Sequence, residues 1–251
     1  MNGSPPIDPR WGHTKRDVKA CAILKTLELH FCKPMKVLTW LDVGCGSGGI
    51  AAELAGSVDR IIGADPEAWK RWQDFETTHP NLKFYVAKYD DLPRLFPHKE
   101  IDVIVCNQVY EHVDDPAKLL AAIATVLNDN GVCYFAGPNL LWPVEPHVFW
   151  PLVHWLPRSA AQKIMRLCGS KKAQELDAYS WGYWRLTRAF RAAGFSYSSV
   201  IRERLIAGVA DKSVRLKQLF EIVPRRLYRL LSPFAPGFVF VLAKRHPPDL
   251  A

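Results

Sequence analysis

Two kinds of apolar run alternate along this chain. Short runs rich in Val, Ile and aromatic residues predict strands near 37–43, 60–65, 83–87, 101–107 and 131–137, with apolar residues at helical spacing between them. The clearest helix runs from Pro116 to Leu127. Asp114 or Asp115 is its cap, Pro116 sits in its first turn, and Asn128-Asp129-Asn130-Gly131 ends it. Another helix spans Trp184 to Ala193 and stops at Gly194, and two further strands, near 195–204 and 237–243, complete the pattern. Strand and helix in alternation predict an α/β fold with a doubly wound sheet. A helical segment (1–36) precedes this core (37–137), and all of it belongs to one domain spanning 1–251.

Two stretches exceed the minimal alternation. Residues 138–182 hold Pro138, Pro143, Pro146, Pro151 and Pro157 among Trp142, Phe149, Trp150 and Trp155. The prolines forbid one long helix, so a broken aromatic cap is expected over the C-terminal ends of the strands, where open α/β sheets bind ligands. Within the C-terminal half (183–251), an insertion at 207–235 places Leu216, Leu219, Phe220, Val223, Leu227, Leu230 and Leu231 at helical spacing, with Pro224 expected to kink or split the helix.

Composition narrows the class. At 251 residues with ordinary hydrophobic content, the chain can bury a sizeable core. The six cysteines have neither CxxC nor zinc-ligand spacing, the first ten residues lack an apolar signal region, and no apolar run of about 18 residues occurs. A cytoplasmic location is expected. The net charge of +8 is uneven: from Arg185 to Arg229, eleven basic residues face only Glu203, Asp211 and Glu221. Such a patch attracts phospholipid headgroups, a phosphorylated substrate or nucleic acid, or is simply a solvated helix face.

Candidate chemistry begins at Leu41-Asp42-Val43-Gly44-Cys45-Gly46-Ser47-Gly48-Gly49, where a strand, a glycine turn and a helix follow one another. Glycines let the backbone turn tightly and approach a ligand closely. Gly44, Gly46 and Gly49 also satisfy the dinucleotide fingerprint, so spacing alone leaves a nicotinamide-dependent oxidoreductase open. Asp42 favours a ligand that is cationic there, such as S-adenosyl-L-methionine with its sulfonium and ammonium groups.

"LDVGCGSG" resembles the first motif of the class I S-adenosylmethionine-dependent methyltransferases. Ile61-Ile62-Gly63-Ala64-Asp65-Pro66, Ile101 to Cys106, Glu111-His112-Val113 and Gly131 to Asn139 resemble the later motifs in the family's order. The resemblance is strongest over about 37–140 and closest to the small-molecule, ubiquinone-type O-methyltransferases. It implies a Rossmann-like seven-stranded sheet with an antiparallel C-terminal edge hairpin. It also implies a cofactor site of Asp42, Gly44, Cys45, Gly46 and Gly48, with Asp65 on the ribose, Pro66 beside it, and Tyr89, Asp90 and Asn107 farther along. Asp65 lies 21 positions after Gly44, near the offset of a ribose-binding acid. One departure is Lys88, which stands where the family has an acid for the adenine amine. Lysine has no acceptor, so Asp90, a backbone carbonyl or packing must substitute, while Asp91 suits a turn cap.

Methyl transfer needs the acceptor in line behind the methyl carbon, and a hydroxyl acceptor also needs a base. His112, following the fourth strand, is the leading candidate because its ordinary pKa lies near neutrality. Glu111 orients it or caps the loop. Tyr110, Glu145, His147, Trp150 and Tyr179 are expected at the substrate. Some relatives of this type bind a metal through a Glu, a Glu-His pair and a further acid. Gln108 occupies the earlier acidic position here, and a neutral amide is a weak ligand for a hard ion, so no metal is expected. Asn107-Gln108-Val109-Tyr110 lacks the paired prolines of base-modifying amino-methyltransferases, which argues against a nucleic-acid substrate. The resulting expectation is a small-molecule O-methyltransferase for a hydrophobic or lipid-linked acceptor, with peripheral membrane contact through 207–235. A non-catalytic cofactor-binding scaffold and a dehydrogenase are the alternatives.

Overall fold

The computed structural model describes residues 16–31, 35–36, 38–176, 180–209 and 213–245. After α1 (Arg16–Phe31), the chain alternates through β1 (Thr39–Val43), α2 (Gly49–Ala55), β2 (Arg60–Asp65), α3 (Trp72–Thr78), β3 (Leu82–Val86), α4 (Leu92–Leu95), β4 (Ile101–Asn107), α5 (Pro116–Val126) and β5 (Leu127–Pro138). A small ribbon of β6 (Val144–Glu145) and β7 (Trp150–Pro151) and helix α6 (Arg158–Leu167) build the cap. Then come α7 (Tyr183–Ala192), β8 (Phe195–Ser199), α8 (Ile201–Val209), α9 (Val214–Ile222), α10 (Arg225–Leu231) and β9 (Gly237–Lys244). Seven strands form one sheet in the order β3-β2-β1-β4-β5-β9-β8. The first five are parallel, and β9 runs antiparallel between β5 and β8. Strand order reverses between β1 and β4, so the crevice at their C-terminal ends is the place for a ligand.

The strand pleat sorts side chains into two helix-covered layers. Leu41 and Val43 of β1, Ile104 and Cys106 of β4 and Phe135 of β5 pack in one core with Leu119 and Ile123 of α5 and Phe190 of α7. Trp40, Val103, Val105 and Tyr134 face the other way, into a core with Ile23 and Leu27 of α1 and Ile50 and Leu54 of α2. Asp42 alternates with Leu41 and Val43, so it faces the α1 and α2 side. That placement decides its neighbours.

Local chemistry sets the boundaries. Asp115 is the cap of α5, its carboxylate accepting from the N–H groups of Ala117 and Lys118, and Pro116 fills the first turn. α7 stops where Gly194 adopts φ +85°. Pro224 splits the basic insertion into α9 and α10. One predicted boundary is corrected: the strand expected over 195–204 ends at Ser199, and Ile201–Val209 is helix α8. Its apolar residues Ile206 and Ala207 are buried, and Glu203 is buried beside Arg225 at 3.3 Å. Helical packing over α1 therefore wins over the β-branched flavour of Val200-Ile201.

The cap is broken, as its prolines require. It also carries a core of its own, in which Val148, Val153, Ala161, Met165, Ala173 and Leu176 pack together. None of its described helices, nor any other described helix, is long and apolar enough to cross a membrane.

Candidate active site

The glycine turn after β1 is held in left-handed backbone that favours glycine. Gly44, Gly46 and Gly48 have φ of +67°, +51° and +78°. A Cβ on Gly48 would lie 2.5 Å from the Phe84 ring, and one on Gly44 would lie 2.7 Å from Val109. The N–H groups of Gly44 and Cys45 both donate to the Ala64 carbonyl, at 2.7 and 3.2 Å, which ties the turn to β2. Trp72 braces it from outside: its indole N–H donates to the Gly46 carbonyl at 3.0 Å while its ring stacks on Phe84.

Two carboxylates flank this turn. Asp65, at the end of β2, accepts from the Gly46 N–H at 2.8 Å and from the Glu67 N–H at 3.0 Å. A carboxylate has about four lone-pair sites, so acceptor capacity remains for ligand hydroxyls. Asp42 is buried, and its Oδ2 has no hydrogen-bond partner among the described residues. Burial pushes its pKa up to about 7, with Arg16 opposing the rise and Asp65 adding to it. Arg16 opens α1 and lies across the turn, its Cγ 3.0 Å from where a Gly49 Cβ would stand. Sequence reasoning missed Arg16 because nothing local marks it: α1 brings it to Asp42 from 26 positions away.

A cleft of about 160 Å³ opens beside the turn, lined by Gly44, Pro66, Lys88, Tyr89, Val109 and His112 among others. It therefore runs from the turn to the loop after β4. Gly44, Pro66 and Tyr89 from the predicted cofactor set lie on its wall, and so does Lys88. Asp90 is exposed and Asn107 is half-buried at the end of β4, and neither lines the cleft. Asp91 accepts from the Lys88 N–H at 3.1 Å and caps the turn. Cys45 is buried, its Sγ turned toward Gly63, and burial pushes its thiol well above the ordinary range.

At the far end of the cleft the loop after β4 meets the cap. Gln108, at φ +60°, makes the sharp exit and donates its N–H to the Ala136 carbonyl at 2.8 Å. Tyr110, expected at the substrate, lies instead in the core. Its hydroxyl bonds the Pro138 carbonyl and accepts from the Trp181 N–H, so it ties the loop to the cap's return. Trp150, expected likewise, packs against the cap's own core. Tyr179 lies outside the described residues.

Glu111, His112, Glu145 and His147 do come together. Glu111 is buried at 1% exposure, and neither of its oxygens has a hydrogen-bond partner among the described residues. Burial raises its pKa to about 7, against the pull of its own backbone N–H and of His147. His112 is exposed and lines the cleft, its ring edge-on to that of His147 with centroids 5.3 Å apart. His147 Nδ1 lies 2.7 Å from Glu145 Oε1, and its Nε2 lies 3.9 Å from Glu111 Oε1. Glu145 is fixed by N–H bonds from His147 and Val148, both 2.7 Å to Oε2. Burial works to raise the Glu145 pKa, but these bonds outweigh it and the group titrates below its ordinary value. Donor atoms of Glu111, His112 and His147 all lie within 4.8 Å of one another. The approach of His147 to Glu111 and His112 was not visible in spacing along the chain.

Residues 13–200 match the family model of a methyltransferase domain. The chain is 30% identical over 138 residues to a ubiquinone biosynthesis O-methyltransferase from Albidiferax ferrireducens, covering 52% of this chain and 54% of that protein. It is 28% identical over 112 residues to a malonyl-(acyl-carrier protein) O-methyltransferase from Halalkalibacterium halodurans, covering 42% and 41%. The chain thus spans about half the length of the curated relatives it matches. Among solved structures, a plantazolicin methyltransferase superposes with a TM-score of 0.60 at 14% identity, covering 95% of this chain and 88% of that one. A 1,6-didemethyltoxoflavin-N1-methyltransferase from Burkholderia thailandensis gives 0.56 at 16% identity, covering 95% and 82%. At these identities the superpositions establish the fold.

Proposed function

This chain belongs to the methyltransferase-domain family, and from that premise we propose that it transfers a methyl group from S-adenosyl-L-methionine to a hydroxyl of a small hydrophobic acceptor. The observation that carries the reading is the continuity of one cleft, which joins the glycine turn to His112. Asp65 would accept from the cofactor's ribose hydroxyls, Asp42 would face its ammonium group, and Tyr89 and Val109 beside Lys88 would pack against its adenine, leaving its methyl group to an acceptor at the loop after β4.

Attack by the acceptor oxygen on that methyl carbon breaks the carbon–sulfur bond, and the bonding pair stays on sulfur. Positioning supplies much of the rate, because the two reactants are held in line instead of meeting by chance. The acceptor's proton goes to the Glu111–His112–His147 cluster, of which His112 is the member that lines the cleft. Glu145 orients His147, and Glu111 supplies negative charge at the back of the cluster.

The acceptor we propose is hydrophobic or lipid-linked, met in the cytoplasm at a membrane surface. Support comes from the exposed apolar residues of α9 and α10. Leu219, Ile222, Leu230 and Leu231 are all more than half exposed, and Arg225, Arg226 and Arg229 lie in the same segment. An amphipathic stretch of this kind suits the headgroup plane of an anionic bilayer. The deciding experiment is mass spectrometry of lipid and metabolite extracts incubated with the protein and methyl-labelled cofactor. A labelled product identifies the acceptor and the atom methylated. Cofactor binding without any labelled product favours a non-catalytic scaffold.

A further inference from the structure

We infer that Asp114 and Lys88 together read the edge of the cofactor's adenine, the Asp114 carboxylate accepting from the exocyclic amine and the Lys88 ammonium donating to the adjacent ring nitrogen. This pairing presupposes S-adenosyl-L-methionine lying in the cleft as proposed above. Among the described residues that line the cleft, Asp114 is the one carboxylate and Lys88 the one lysine. They arrive from different elements, Lys88 from the turn after β3 and Asp114 from the loop that leads into α5. Both residues are exposed.

The neighbouring acceptors are engaged elsewhere. Asp91 accepts from the Lys88 N–H at 3.1 Å and lies 3.5 Å from Arg94. Asp115 is occupied as the cap of α5, its Oδ1 accepting from Ala117 and Lys118 at 3.0 and 3.2 Å. The carbonyls of Lys88 and Tyr89 accept from the N–H groups of Asp91 and Leu92 inside the turn. Asp90 does not line the cleft. That leaves Asp114. Tyr89 fastens the two walls together: its hydroxyl bonds the Asp115 backbone, and burial, followed by the carboxylates of Asp90, Asp115 and Asp114, raises its pKa. The turn that carries Lys88 and the approach to α5 that carries Asp114 are thus joined beside the cleft.

Chemistry fixes the sense of the pairing. A carboxylate only accepts and an ammonium only donates. The edge of adenine presents an amine donor beside a ring-nitrogen acceptor, which matches a carboxylate beside an ammonium. Hypoxanthine presents the opposite order, a carbonyl oxygen beside a ring N–H, so its oxygen would meet Asp114 and its N–H would meet Lys88. Where the resembled family has an acid, this chain uses the position for a donor and moves the acceptor across the cleft. A hydrogen bond to a charged group is worth about tenfold or more in affinity, and water at these exposed side chains keeps each contact near the low end. Two such contacts set a preference of about 10- to 100-fold for adenine.

The test is calorimetric titration of the full-length protein with S-adenosylhomocysteine and with S-inosylhomocysteine, its hypoxanthine counterpart. The wild type should prefer the adenine ligand by about 10- to 100-fold. Asp114→Ala should weaken the adenine ligand about tenfold and leave the hypoxanthine ligand unchanged or tighter, and Lys88→Met should narrow the preference in the same way. Lys88→Glu combined with Asp114→Lys should reverse the preference, an outcome that damage to the fold does not produce. Asp65→Ala, acting on the ribose, should weaken both ligands alike and keep their ratio. A wild type that binds both ligands equally overturns the pairing and leaves the cofactor's placement intact. An Asp114→Ala variant that keeps the wild-type ratio overturns it as well. A wild type that binds neither ligand overturns the placement itself, and the pairing falls with it.

Discussion

Asp42 combines two properties that make cofactor binding sensitive to pH. It is buried on the α1 and α2 side of the sheet, and its pKa is raised from the ordinary 3.8 to about 7, first by burial. At pH 6 about nine-tenths of ligand-free molecules then carry a protonated Asp42. In the proposed placement Asp42 would face a cationic ammonium group, and its carboxylate would have to ionise for binding. Cofactor affinity should therefore rise about tenfold per pH unit up to pH 7, each unit being worth about 1.4 kcal/mol, and level off above. Stability of the ligand-free protein runs the other way. The unfolded chain ionises Asp42 near pH 4 and the folded one near pH 7, so the folded state binds the extra proton and its stability declines as pH rises across that window. Above pH 7 the penalty is on the order of 4 kcal/mol. Asp42→Asn should then stabilise the ligand-free protein at pH 8 while weakening cofactor binding about tenfold or more and removing its pH dependence. Calorimetry between pH 5.5 and 8.5, in buffers of different ionisation enthalpy, counts the proton released. Affinity that stays flat from pH 6 to 8 in the wild type would refute the placement of the ammonium at Asp42.

Asp65→Ala should weaken S-adenosylmethionine binding by about 1.5–3 kcal/mol through loss of a charged acceptor, and Gly46 would lose its N–H partner as well. Calorimetry showing unchanged affinity, or tight NAD binding by the wild type, would exclude this site. His112→Ala should lower turnover about 100-fold or more with cofactor affinity nearly intact, measured by single-turnover methyl transfer to the identified acceptor. Unchanged turnover would point to an acceptor that needs no base. On liposomes at physiological salt, the protein should float with anionic vesicles and not with neutral ones. Arg225→Glu, Arg226→Glu and Arg229→Glu together should release it, each basic residue near the surface being worth about 1 kcal/mol. Indifference to both vesicle types would rule out membrane docking by α9 and α10.

The parts of the fold that were legible in the sequence are those set by neighbours along the chain. The turn from Gly44 to Gly48 declares itself through glycines, which adopt its left-handed backbone without strain. α5 declares its start through Asp115 and Pro116, and α7 its stop through Gly194. The strand predicted over 195–204 failed because a short apolar run carries no period long enough to separate strand from helix, and packing of Ile206 and Ala207 decided the matter. In the site, Glu111 and His112 were visible as a pair beside β4. Their junction with His147 was not, because 34 intervening positions and a broken cap determine where that imidazole arrives. Tyr110 and Trp150 were singled out as aromatic residues beside a cleft, and the sequence could not show that Tyr110 is buried in the core or that Trp150 packs against the core of the cap.

The private core of the cap has an evolutionary consequence. Val148, Val153, Ala161, Met165, Ala173 and Leu176 consolidate one another and share no member with the two cores that flank the sheet. Substitutions within it are expected to combine almost additively with changes around the glycine turn, since distant sites without common partners seldom couple. Selection acting on acceptor choice can therefore rework the cap while the cofactor half drifts on its own schedule, and a lineage carrying this architecture can exchange one substrate for another without rebuilding the machinery that delivers the methyl group.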